Sequence, residues 1–208
     1  MNANPRNRAG LALGSLLIAI LPCVNSAAAP APPCEACHGA HGEGMAAADV
    51  PRLAGQSADY LQKQLDDYAR GTRDNPIMRN FAKALSEQQR AQFAARYASM
   101  SAPYIAPSAP SSAVTLARGH QLAFQGDESR RVAACNGCHG PDGVGVPYAA
   151  PYLAGQSAEY LAGALKAFQR GTRKNDAGQL MRSVAERLDD ADITAVSGYF
   201  ANLESSTR

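Results

Sequence analysis

The chain has 208 residues and a formal charge of only +2, from 20 Lys and Arg against 18 Asp and Glu. That length holds one large domain or two small ones. So small a basic excess excludes charge-driven binding to nucleic acid or to an anionic membrane surface.

The chain begins with Arg6 and Arg8, continues with an apolar run from Ala9 to Leu21, and reaches small residues at Ser26, Ala27 and Ala28. That is the layout of a secretory signal peptide, so residues 1–27 are expected to be removed on export to the periplasm, and Cys23 with them. The apolar run is too short to cross a bilayer, which takes about 20 helical residues. Pro22 directly before Cys23 argues against a lipoprotein signal.

A first domain is expected over residues 28–102. It opens with Cys34-Glu-Ala-Cys37-His38, only six residues after the leader, three of them proline. A helix follows, started by a Ser57 N-cap, carrying Tyr60, Leu61, Leu65 and Tyr68, and ended by Gly71. A second helix starts near Ser86, with Gln89 in capping-box position. Residues 103–112, with three prolines and three serines, form an extended linker.

The second domain, residues 113–208, opens with a helix around Val114 to Phe124 and then repeats the first. Cys135-Asn-Gly-Cys138-His139 matches the first cysteine motif, and Leu153-Ala-Gly-Gln156-Ser157 matches Leu53-Ala-Gly-Gln56-Ser57. Arg170-Gly-Thr-Arg173 matches Arg70-Gly-Thr-Arg73. The offset, about 100 to that point, then becomes 103, so that Met181 aligns with Met78 and Leu188 with Leu85. A last helix near Asp189 or Asp190 presents Ile193, Val196, Phe200 and Leu203 on one face. Strand signals are absent, and two copies of an all-α module is the plain reading.

Two thiols separated by two residues are spaced to add across the vinyl groups of one porphyrin, and the histidine that follows reaches the iron. Cys34 and Cys37 are therefore expected to attach one haem with His38 as ligand, and Cys135 and Cys138 a second with His139. A zinc site would need four ligands per site, and a redox dithiol a βαβ setting; neither pattern is present. The second axial ligand is expected to be a soft methionine sulfur. Met181 serves the second copy, and Met78 the first by its repeat position, with Met45 and Met100 as competitors. His41 and His120 read as surface residues. A backbone carbonyl near Pro51 or Pro151 is placed to accept the Nδ1–H of the proximal histidine, although a plain turn proline reads equally well. Arg70, Arg73, Arg170 and Arg173 suit either haem propionates or a helix C-terminus.

With these motifs together, the sequence resembles the cytochrome c4 family over about residues 34–203. The resemblance implies two tandem class I cytochrome c domains with two covalent haem c groups, ligated by His38 with Met78 and by His139 with Met181. It also implies an electron carrier between redox partners, such as membrane respiratory complexes and oxidases, rather than an enzyme; any membrane association would be peripheral. A dihaem oxidoreductase, or an electron-delivering subunit of a larger complex, is the alternative. The departure from the family is the first copy's lack of sequence for a helix ahead of its cysteines.

Overall fold

A computed structural model describes Met1 and residues 34–107, 111–148 and 150–204. The expected signal peptide, the segment ahead of Cys34 and the middle of the expected linker lie outside the described residues. Residues 34–204 fall within one compact unit.

Its helices are α1 (Glu35–His38), α2 (Ala58–Arg70), α3 (Pro76–Ala84), α4 (Glu87–Ala98), α5 (Ala113–Phe124), α6 (Asn136–His139), α7 (Ala158–Gln169), α8 (Leu180–Ala185) and α9 (Asp190–Ala201). Among the described residues, β pairing is limited to isolated bridges such as Met45 with Val50 and Val146 with Ala150.

Local chemistry accounts for the helix ends. The Ser57 and Ser157 hydroxyls each accept the N–H of the residue three further on, at 3.2 Å. Gly71 takes the left-handed conformation directly after α2, whereas α7 ends on Arg170 and Gly171 follows with φ +68°. Ser86 and Gln89 form the expected capping box at the start of α4. Asp189 caps α9 by accepting the Asp192 N–H at 2.8 Å.

In each module the long helix lies against the two that follow it: α2 packs on α3 and α4, and α7 on α8 and α9. In the second module α5 also packs closely on α9, crossing at Gly119, where a Cβ would sit 2.2 Å from the Ala195 carbonyl oxygen. That module has the larger core, with Leu122, Leu161, Ile193, Val196 and Phe200 among its buried residues. The first module's core gathers Leu61, Ala94 and Tyr97, with Cys34, Leu53 and Met100 packed against them.

The modules meet along a near two-fold relation. Gln56 exchanges two hydrogen bonds with the backbone of Tyr152, and Gln156 exchanges two with the backbone of Arg52. Both glutamines are buried, and each uses its two bonds to complete the backbone of the opposite module.

Candidate haem sites

The two histidines are set by matching loops. His38 ends α1 and His139 ends α6. The chain then doubles back: Gly44 N–H reaches the His38 carbonyl at 2.8 Å, and Gly145 N–H the His139 carbonyl at 2.7 Å. Leu53 and Leu153 close the loops onto the Gly42 and Gly143 carbonyls. Gly42 and Gly143 have positive φ and lie against aromatic rings, so that a Cβ would come within 2.8 Å of Tyr97 and 2.6 Å of Phe200.

These loops bring Pro51 and Pro151 to the histidines. His38 Nδ1 is 2.9 Å from the Pro51 carbonyl oxygen, and His139 Nδ1 is 2.9 Å from that of Pro151. A carbonyl only accepts, so Nδ1 carries the proton and Nε2 keeps its lone pair for a metal. Burial lowers both imidazole pKa values, against the opposing effect of the prolyl carbonyl. The neutral form that burial favours is the one that coordinates. Burial also raises the thiol of Cys34 and pushes that of Cys135 up to about 11.

Met78 is placed by a cap absent from the sequence reading. Asn75 Oδ1 accepts the Met78 N–H at 3.0 Å, and Pro76 occupies the first helical position of α3. In the second module a 3₁₀ turn over Ala177–Gln179 precedes α8. That turn absorbs the change of repeat offset from 100 to 103, and Met181 lies half-buried in the first turn of α8.

A cavity of about 550 Å³ brings together Cys34, Cys37, His38 and Met78, with a predominantly apolar lining that includes Leu61, Leu65 and Phe93. Met45 and Met100 are not among its lining residues: Met45 is 44% exposed on a turn, and Met100 packs against the Leu61–Tyr97 core. Two thiols, an imidazole and a thioether opening into one apolar space form a donor set suited to haem c. His41 is exposed, its N–H bonded to Glu43, and His120 stacks on Phe124 at 4.6 Å.

The cytochrome c family model matches residues 27–97 and again 117–204. A protein of Pseudomonas aeruginosa named cytochrome c4 is 40% identical over 174 residues, covering 82% of this chain and 83% of its own. The chain belongs to the cytochrome c4 family. Its two cytochrome modules carry two covalently bound haem c groups and serve electron transfer. A "Thiosulfate dehydrogenase electron acceptor" of Stutzerimonas stutzeri is 47% identical over 170 residues, covering 82% of this chain and 78% of that protein.

Among solved structures, reduced cytochrome c4 from Pseudomonas stutzeri superposes with a TM-score of 0.74 at 35% identity, covering 82% of this chain and 93% of the other. The thiosulfate dehydrogenase TsdBA from Marichromatium purpuratum gives a TM-score of 0.76 at 37% identity over 82% of this chain. This cytochrome c4 chain spans only 36% of that protein's length.

Sequence reasoning missed the module boundary. Arg73 and Arg173 are neither exposed nor confined to a helix end. Arg73 Nη2 donates to the Tyr160 hydroxyl at 3.0 Å, and Arg173 Nη2 to the Tyr60 hydroxyl at 3.1 Å. The available signal was that Tyr60, Arg73 and Gln56 recur in both copies outside the cysteine motifs.

Proposed function

We propose that this cytochrome c4 works in the periplasm as a dihaem carrier that accepts electrons from a thiosulfate-oxidising dehydrogenase and delivers them to a respiratory complex or oxidase. Haem 1 is assigned to Cys34 and Cys37 with His38 and Met78, and haem 2 to Cys135 and Cys138 with His139 and Met181. The observation that carries this reading is the convergence of Cys34, Cys37, His38 and Met78 on one apolar cavity, together with the duplicated histidine–proline bond. The donor assignment rests on similarity to two proteins named as thiosulfate dehydrogenase electron acceptors, 47% and 42% identical.

Bound haem supplies reversible one-electron exchange at a site without substrate chemistry. The protein's part is to hold and insulate it. The cysteines anchor the group, the prolyl carbonyl fixes the imidazole plane and strengthens the ligand, and the methionine sulfur raises the potential into the carrier range. Apolar lining keeps water from the ligands.

The test is a pyridine haemochrome count on protein matured in a bacterial periplasm, followed by exposure of the reduced form to carbon monoxide. Two haems per chain without carbon monoxide binding fit two closed irons. Stopped-flow reduction by a thiosulfate dehydrogenase with its substrate then checks the donor. Carbon monoxide binding at one haem would favour a dihaem oxidoreductase instead.

A further inference from the structure

Gln64, on α2, is 7% exposed, and its Oε1 accepts three hydrogen bonds: from Arg73 Nη1 at 2.7 Å, Asn175 Nδ2 at 3.0 Å and Arg173 Nη2 at 3.3 Å. Two of these donors come from the second module. Each arginine also donates across the boundary to a tyrosine of the other copy, so Gln64 ties together a crossed pair of cations. Both arginines line the cavity that holds His38 and Met78.

Gln64 has no twin in the second module. Tyr60, Arg73 and Asn75 recur as Tyr160, Arg173 and Asn175, but the counterpart of Gln64 is Ala164, flanked by Gly163 and Ala167 where the first module has Lys63 and Asp67. A single amide oxygen therefore serves both guanidinium groups.

We propose that Gln64 is a positioning residue that fixes Arg73 and Arg173 at the module boundary, so that one side chain of the first module tunes the reduction potentials of both haems. The proposal rests on the two-haem assignment above. A cation held in a poorly hydrated place favours the less positive, reduced iron, and that effect weakens as the charge moves away or becomes hydrated. Without the amide, buried Arg73 and half-buried Arg173 each keep an unmet donor and turn toward water. The field then falls at both irons.

The experiment is a spectroelectrochemical titration of the full dihaem protein, wild type against Gln64→Ala and the double variant Gln64→Ala/Ala164→Gln. The near two-fold relation puts the new amide of the double variant beside the same two arginines. Both midpoints are expected to fall in Gln64→Ala, each by up to about tenfold in the reduction equilibrium constant, and to return toward wild type in the double variant. Lost packing alone would not be restored from the other module. Should Gln64→Ala not mature with two haems, Gln64→Leu fills a similar volume, removes the acceptor without adding charge, and is expected to lower both midpoints in the same way. A midpoint that stays at its wild-type value, or a double variant that fails to recover, overturns the proposal. The carrier reading fails separately, if the wild type itself lacks two one-electron steps.

Discussion

Gln56 and Tyr152 exchange two hydrogen bonds across the module boundary, 3.1 Å from Gln56 Nε2 to the Tyr152 carbonyl and 2.8 Å from the Tyr152 N–H to Gln56 Oε1. Because Gln156 repeats the exchange with Arg52, the boundary is stitched at two symmetric points. Replacing both glutamines by alanine strands four backbone groups and is expected to destabilise the folded protein by about 2–4 kcal/mol. Guanidinium unfolding followed by far-ultraviolet circular dichroism reads the loss.

Of the three methionines of the first module, Met78 alone lines the cavity with His38. Met78→Ala is expected to admit carbon monoxide at one haem, whereas Met45→Ala leaves the reduced spectrum unchanged on carbon monoxide addition. Met100→Ala is expected to act on stability instead, costing about 2–3 kcal/mol through the cavity it leaves beside Leu61 and Tyr97.

In the second module the buried carboxylate of Asp192 accepts from Arg118 Nε at 2.8 Å and from Arg130. Both arginines also reach Asp127, fastening the loop ahead of Cys135 to α5 and α9. Asp192→Ala leaves Asp127 as the only carboxylate that the two arginines still share among the described residues. Since each arginine is about a third exposed, the expected cost is about 2–3 kcal/mol, below that of a fully buried pair. Thermal unfolding against wild type checks it.

Gly119 lets α5 approach α9 closely enough that an added methyl would overlap Ala195. Gly119→Ala is expected to push the helices apart and destabilise the second module by about 1–3 kcal/mol, despite alanine's better helix propensity. Differential scanning calorimetry should show a lower transition temperature.

Asp67 sits at the boundary, where burial opposes its charge but bonds from Lys63, Asn175 and Thr72 outweigh that and lower its pKa. A depressed carboxylate contributes stability that is complete above its unfolded value of about 4 and disappears as the pH falls through the lower folded value. The boundary is therefore expected to loosen below about pH 4, and Asp67→Asn to flatten that part of the stability curve against pH. Denaturant titrations between pH 3 and 6 make the comparison.

The sequence by itself determined the chemistry and the repetition. The cysteine spacing, the following histidine and the aligned methionines are local or periodic features, legible because a covalent haem needs its attachment points within five consecutive residues. The capped starts of α2, α4, α7 and α9 were legible for the same reason, since a cap acts over three residues. The short helices α3 and α8 were not, because nine and six residues give too little periodicity, and an Asn75 cap or a 3₁₀ turn decides them. Only the tertiary structure decided which prolyl contact each histidine makes, since a turn proline and a carbonyl acceptor look alike in sequence. Only it joined Arg73 to Tyr160 and brought Arg173 to Gln64: those partners stand 87 and 109 positions apart, and nothing but the packing of one module on the other makes them neighbours.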